Sequence, residues 1–321
     1  MARDSLITAE IRALAGREVR FPNCEEIEKG MIRRFALAVG DLNPLYLDEE
    51  YARRSRYRGL IAPPTFIFEM YYSTVAELGE DGSPQWRFRL PPPLERMVRG
   101  GNEYTFARPV RPGDVLSSTW KVADIYERQG RTGRMVIVIV EASFTNQRGE
   151  LGTNRETLIF LPPVSPAEDR PMAAVGRPAP ELPASELPPL VKKITKVRMA
   201  MYAAATWDFN RGHYDREFAQ GRGFPDVYID GQVLGAYLAQ LVTDWMGEGG
   251  SLKRLGLSYR GMVFPGDTVT CGGRVSRRID VGDESRLDLE LWIRNQHGQE
   301  VAPGRAAVML PAGASPRSLS G

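Results

Sequence analysis

Two cysteines in 321 residues, Cys24 and Cys271, are too few and too far apart for a disulfide framework or a metal-ligand cluster. No apolar run approaches the roughly 18 residues that a membrane-spanning helix needs. The start, Met1 to Leu6, lacks the apolar core of a signal peptide, so none is expected. Lysine and arginine total 42 against 40 acidic residues, a formal net charge of +2, which leaves no electrostatic footprint for nucleic acid. The basic run Arg53 to Arg58 is short and reads as a solvated helix face. These absences point to a cytoplasmic protein with no metal, no membrane and no nucleic-acid partner. Histidine is as scarce as cysteine: only His213 and His297 occur.

The chain is long enough for two cores of ordinary size. Between them proline is dense, from Pro162-Pro163 through Pro166, Pro171, Pro178, Pro180 and Pro183 to Pro188-Pro189, where neither a helix nor a central strand persists. That stretch reads as an extended connector, giving residues 1–161, a linker at 162–190, and residues 191–321.

The two flanks repeat each other in order. Phe35 to Asp41 matches Tyr202 to Asp208, and Ile61-Ala62-Pro63-Pro64 matches Ile229-Asp230-Gly231-Gln232. Arg108 to Val115, with Pro112-Gly113-Asp114, matches Gly261 to Thr268, with Pro265-Gly266-Asp267. Asn146-Gln147-Arg148-Gly149 matches Asn295-Gln296-His297-Gly298. Two copies mean a duplicated domain rather than a solenoid. Each copy predicts a short helix (Ile27 to Val39; Val197 to Thr206), a second (Glu49 to Ser55; Asp215 to Gln220) and a long apolar one (Pro64 to Leu78; Gly231 to Met246). About four antiparallel strands follow, among them the β-branched Val136 to Val140 and the alternating Leu287 to Leu291. The fold class is therefore α+β, one helix packed on a curled sheet, twice over. An insertion at Asp81 to Gly101 in the first copy reads as a lid, a pocket wall or a packed surface loop.

One difference between the copies concerns chemistry. Asp41-Leu42-Asn43-Pro44-Leu45-Tyr46-Leu47-Asp48 and Asp208-Phe209-Asn210-Arg211-Gly212-His213-Tyr214-Asp215 share the frame Asp-x-Asn-x-x-x-x-Asp, but the imidazole of one is a phenol in the other. An imidazole that titrates near neutrality passes protons readily; a phenol does not. Gly231, opening the long helix, offers an unpaired N–H where the first copy has Pro63, which has none. The sequence thus points to one active site, in the second half. Asn210 either binds water or braces the turn, and Asp215 reads as the N-cap of the next helix. His297 sits in a hairpin turn and receives no role. Gly221-Arg222-Gly223 lacks the preceding strand of a dinucleotide loop.

Asp208-x-Asn210-x-x-His213-x-Asp215, with Ile229-Asp230-Gly231 ahead of a helix, resembles the hydratase motif of the MaoC-like family, whose members are (R)-specific enoyl-CoA hydratases and dehydratases. Gly40-Asp41-Leu42-Asn43-Pro44-Leu45-Tyr46 and Ile61-Ala62-Pro63-Pro64-Thr65 are similar to the N-terminal domain of two-domain members, as is Arg99-Gly100-Gly101-Asn102-Glu103. The resemblance implies a double hot-dog fold and a cofactor-independent hydro-lyase of fatty-acid metabolism. Its substrate would be an acyl-CoA or acyl carrier protein thioester, and it would work as a homodimer or hetero-oligomer. Water is added across the enoyl bond by Asp208 and His213 acting as a unit, with Gly231 stabilising the enolate-like oxygen and Asn210 beside the water. Which of Asp208 and His213 takes the water's proton stays open. Arg216, Arg222, Lys253 and Arg254 are candidates for the coenzyme A phosphates. The first half either accommodates the acyl group, with Phe66, Phe68, Met70, Tyr71 and Tyr72 along its helix, or only covers the sheet edge of the second. A thioester hydrolase of the same fold and a non-catalytic acyl-binding subunit are the alternatives.

Overall fold

A computed structural model of the chain describes residues 5–69, 77–84, 90, 91, 94, 96–130, 133–161 and 186–311. A four-residue helix α1 (Ala9–Arg12) leads into strand β1 (Glu18–Glu26) and helices α2 (Lys29–Val39), α3 (Pro44–Leu47), α4 (Glu49–Arg54) and α5 (Phe66–Glu69). Strands β2 (Arg96–Phe106), β3 (Val115–Gly130), β4 (Gly133–Asn146) and β5 (Gly149–Leu161) complete the first half. The second repeats the order with β6 (Leu190–Lys193), α6 (Lys196–Thr206), α7 (Arg216–Gly221), α8 (Gln232–Met246), β7 (Ser251–Ser258), β8 (Thr268–Val281), β9 (Glu284–Asn295) and β10 (Glu300–Pro311).

All ten strands form one antiparallel sheet in the order β1-β3-β4-β5-β2-β7-β10-β9-β8-β6. Each strand of one half has its counterpart at the mirrored place in the other. The halves join where β2 pairs with β7, from Gly101↔Ser258 to Thr105↔Arg254. Every residue of α8 except Thr243 and Asp244 is buried, which is why its sequence is apolar all round rather than striped. The run Val136 to Val140 is buried on both faces of β4, and Leu287, Leu289 and Leu291 point inward from β9.

The repeated turns also have a physical reason. Asp114 Oδ2 accepts the Arg111 N–H at 2.9 Å and Asp267 Oδ2 accepts the Phe264 N–H at 2.8 Å, each closing its Pro-Gly-Asp turn before a strand. Gln147 and Gln296 in the hairpins accept from Val115 and Thr268.

Three expectations change. Each half has five strands rather than four, because β1 precedes α2 and β6 precedes α6. β1 carries Pro22 and a register shift, which break its alternation, and β6 is only four residues long. The long helix of the first half begins at Phe66 rather than Pro64; residues 70–76, with Met70, Tyr71 and Tyr72, lie outside the described residues. Of the connector, residues 162–185 lie outside them too, while Leu187 is fully buried and Glu186 N–H donates to Gly273 O at 2.8 Å. Among the described residues no helix is long and apolar enough to cross a membrane, and Cys24 and Cys271 are both free thiols.

Candidate active site

Helix α6 stops at Trp207, which takes a left-handed conformation (φ 60°) and turns the chain inward. Asp208 follows, buried, its Oδ1 accepting the Asn210 N–H at 3.0 Å. Asn210 Oδ1 accepts from Gly212 N–H at 3.0 Å and so caps a single 3-10 turn, Arg211–His213. Asp215 then caps α7 through Phe218 N–H, as expected, and pairs with Arg211 at 2.6 Å. Backbone donation and Arg211 hold the Asp215 carboxyl below the usual range.

The first half is built alike: Asp41 accepts from Asn43 N–H, Asn43 from Leu45 N–H, and Asp48 from Glu50 and Tyr51. The shared Asp-x-Asn-x-x-x-x-Asp frame is therefore a turn-building device. That explains its persistence in the half without an imidazole.

His213 completes the turn. Its Nδ1 lies 2.8 Å from the Tyr228 carbonyl oxygen, and the ring stands edge-on to the Tyr228 ring (5.3 Å, 82°). A carbonyl can only accept, so the neutral ring carries its proton on Nδ1, leaving Nε2 as a proton acceptor. Donor atoms of Asp208, His213 and Asp230 all lie within 4.8 Å of one another. Among the described residues this is the only group of its kind, and two carboxylates with an imidazole are also a donor set that suits a divalent cation.

Gly231 is the N-cap residue of α8, with φ −59° and ψ −30°. Its carbonyl accepts from Leu234, and among the described residues its N–H has no acceptor. Gly231, Asp208, His213 and Asp230 line one cleft of about 630 Å³, whose walls include Arg99, Tyr228, Tyr259 and Phe160. Behind Asp208, His213 and Asp230 a second, narrow space of about 20 Å³ lies among Met199, Tyr202, Val233 and Tyr237, room for about one water molecule.

The wall of the site comes partly from the first half. Arg211 N–H donates to Asp81 O at 2.9 Å, and Asn210 Nδ2 donates to Ser83 Oγ at 3.0 Å. Gly82 (φ 76°) presses so closely that a Cβ there would lie 1.7 Å from Phe209 O. Both ends of the Asn210 amide are thus engaged in holding the turn. The insertion at Asp81 to Gly101 begins as a wall; its residues 85–89, 92, 93 and 95 lie outside the described ones.

The corresponding place in the first half has a cleft of about 500 Å³ lined by Asp41, Tyr46, Pro63 and Pro64, with no imidazole and no N–H at Pro63. Asp41 is 2% exposed, and burial followed by the charge of Asp244 pushes its carboxyl from 3.8 up to about 7, against the opposing pull of Lys192. Lys192 reaches across from β6 to the Val39 and Gly40 carbonyls and to Gln240 Oε1 (3.0, 2.9 and 2.6 Å). A carboxyl whose folded-state pKa is raised contributes stability below its unfolded pKa and loses it as pH rises through the folded one. Asp41→Asn keeps the acceptor for Asn43 and is therefore expected to stabilise the protein at pH 8, by up to about 4 kcal/mol. The gain should vanish toward pH 4; equal denaturation midpoint shifts at both pH values would refute this.

The four basic candidates are scattered. Arg222 lines the cleft, stacked 4.3 Å over Phe218, and Arg211 lies beside it. Arg216 pairs with Asp226, Lys253 lines the first-half cleft, and Arg254 sits on the outer face of the sheet. Sequence reading assigned no role to Asp230, Tyr228 or Ser83. Only Asp230, directly before the helix-opening glycine, had a local signal.

Comparison with known proteins follows the same division. Residues 13–152 match the family described as the FAS1-like dehydratase domain region, and residues 184–288 match the MaoC-like domain. A UPF0336 protein of Streptomyces griseus is 36% identical over 126 residues, covering 39% of this chain and 77% of its own. Mesaconyl-C(4)-CoA hydratase of Chloroflexus aurantiacus is 25% identical over 174 residues, 52% of this chain and 58% of that one. Among solved structures, a MaoC-like dehydratase superimposes with a TM-score of 0.72 at 19% identity, covering 94% of this chain and 99% of its own. A Mycobacterium tuberculosis protein described as having a double hotdog fold gives 0.63 at 13% identity, covering 92% and 96%. With its two matched halves, mirrored strand order and single ten-stranded sheet, the chain belongs to the MaoC-like family in its two-domain, double hot-dog form.

Proposed function

We propose that this protein reversibly hydrates an enoyl thioester, converting a 2-enoyl-CoA to the (R)-3-hydroxyacyl-CoA, through Asp208 and His213. The observation that carries the reading is the fixed tautomer of His213. The Tyr228 carbonyl holds Nδ1–H, which leaves Nε2 as the basic nitrogen, and a ring nitrogen of His213 lies within 4.8 Å of an Asp208 oxygen. Nε2 takes a proton from the water that attacks C3. Asp208 orients that water, and a proton returns to C2 through the pair. The thioester oxygen, enolate-like in the transition state, is met by the Gly231 N–H at the start of α8. Asn210 holds the turn that carries both groups. In this reading residues 1–161 form the domain that accommodates the acyl group, 162–190 the linker and 191–321 the catalytic domain. The substrate is a coenzyme A or acyl carrier protein thioester, and no cofactor takes part.

Incubation with crotonyl-CoA and with longer and steroid-type enoyl-CoA esters, in the presence of a chelator, tests it. Loss of enoyl absorbance without thiol release is the expected result. Thiol release with the enoyl band intact would indicate a hydrolase instead, and binding without either change a non-catalytic acyl-binding subunit. Gly231→Pro, which copies Pro63 and removes the N–H, is expected to lower turnover by about 10²-fold with substrate binding largely retained. A variant turning over at the wild-type rate would remove Gly231 from the mechanism.

A further inference from the structure

Gly231 has no side chain to fix it, and the bonds nearest it are local. Gln232 N–H donates to Asp230 Oδ1 at 3.0 Å. Val233 N–H makes a longer bond, 3.3 Å, to the Asp230 carbonyl, which shares a peptide unit with the Gly231 N–H. These bonds tie the helix tip to itself. Two buried struts tie it to the first half. Gln232 Nε2 donates to Glu69, the last residue of α5, and both side chains are 0% exposed. The second strut is Tyr259, whose ring lies 3.3 Å from where a Cβ on Gly231 would stand, and whose hydroxyl donates to Asn102 Oδ1 of β2 at 2.8 Å. Behind it Asn102 donates to Asn154 at 2.9 Å, Asn154 donates to Glu156 at 3.0 Å, and Glu156 pairs with Arg99 at 2.8 Å. Buried polar groups are costly in place of an apolar core, but once connected they fix one arrangement rigidly.

Neither strut has a counterpart at the helix tip of the first half. In the frame of the matched turns, Pro64 stands where Gln232 does, Phe106 where Tyr259 does and Leu255 where Asn102 does. At Pro63, where the N–H is missing, the polar support is missing too. We propose that the first half positions the oxyanion donor: Glu69, acting through Gln232, and Asn102, acting through Tyr259, hold the Gly231 N–H in its direction. Neither Glu69 nor Asn102 lines the cleft, so both are positioning residues. The placement matters because a donor helps a developing oxyanion only if it is already aimed at it, and a misplacement of about 1 Å costs about 10²-fold in rate.

The expected rates rest on the hydration reading; the placing of the Gly231 amide does not. With crotonyl-CoA, Glu69→Ala should lower kcat by about tenfold or more while KM changes by less than about threefold. Glu69→Gln, whose amide oxygen still accepts from Gln232, should recover most of that loss. Added to Gly231→Pro, Glu69→Ala should lose nothing further, because the N–H it places is already gone. Should Glu69→Ala fail to fold, Glu69→Met combined with Gln232→Met removes both partners of the bond at little cost to packing and should show the same fall in kcat. A wild-type kcat in these variants, an equal loss in Glu69→Gln, or losses that multiply with that of Gly231→Pro would overturn the proposal. The Gly231 amide can also be followed without turnover, as the glycine nitrogen-15 NMR signal that Gly231→Pro lacks. That signal should move in Glu69→Ala and in Tyr259→Phe, and return in Glu69→Gln. An unmoved signal would overturn the proposal whatever the protein's activity. A moved signal in a protein that hydrates nothing would instead strike only the hydration reading.

Discussion

Replacing His213 with alanine is expected to cut hydration of an enoyl-CoA by about 10³-fold, with KM changed little and the fold intact. The expectation of an intact fold comes from the way the turn is held. Its caps are the side chains of Asp208, Asn210 and Asp215, and its docking contacts are Asp81 and Ser83. The imidazole contributes the bond to Tyr228 O and an edge-on contact with the Tyr228 ring, neither of which caps the turn. Removing it takes away the proposed base without dismantling the wall. On the proposed mechanism Asp208 and His213 serve one water, so Asp208→Asn combined with His213→Ala should lose hardly more than either alone. Steady-state rates of the three variants decide the matter. Wild-type turnover in His213→Ala would eliminate the pair, and multiplicative losses in the double variant would show two independent groups. Asp41→Asn should leave turnover unchanged, since the first-half frame carries no base.

Gly82→Ala is expected to damage the same reaction from outside the catalytic half. A Cβ at residue 82 would lie 1.7 Å from Phe209 O and 2.5 Å from Phe209 C, so one backbone must move by more than 1 Å. The contact is backbone against backbone, so no side-chain rotation relieves it. Alanine at φ 76° adds about 1–2 kcal/mol of strain. Phe209 lies between Asp208 and Asn210, so the displacement passes directly to the acid–base groups, and a shift of this size costs about 10²-fold in rate. Ser83→Ala, which removes one hydrogen bond to Asn210 without a clash, should have a much smaller effect. Turnover and thermal unfolding measured together test this. A Gly82→Ala protein with normal kcat would show that the loop does not hold the turn.

Features set by neighbouring residues could be read in the sequence, and those set by distant ones could not. The Asp-x-Asn frame, the Pro-Gly-Asp turns and the apolar α8 were legible because each is set by neighbours within a few residues: a side chain capping its own backbone, or a helix buried on every face. The α+β class and the mirrored halves followed from their repetition. What stayed hidden depends on residues far apart in the chain. Tyr228 orients His213 through a main-chain carbonyl, which any residue type supplies. Gly82 meets Phe209 across more than a hundred residues, in an insertion that a sequence shows only as length. Asp230 was visible as an acid before a glycine, but that Asp208 and Glu69 stand near it is reported by no spacing rule. Asn210 was ambiguous for a related reason. Its cap to Gly212 is local, whereas the bond to Ser83 is not.

The seam between β2 and β7 carries a consequence for how such a chain is assembled. It runs over only five residue pairs, and each half alone would leave that strand as an open edge, ready to add a copy of itself. Like-with-like pairing would forfeit Gln232 against Glu69 and Lys192 against Gly40, contacts that exist only between unlike halves. A tether makes the mixed pairing intramolecular, at an effective concentration on the order of millimolar. Severing it between residues 162 and 185 should therefore yield fragments that still recombine, but whose activity falls on dilution, as a two-subunit enzyme's would.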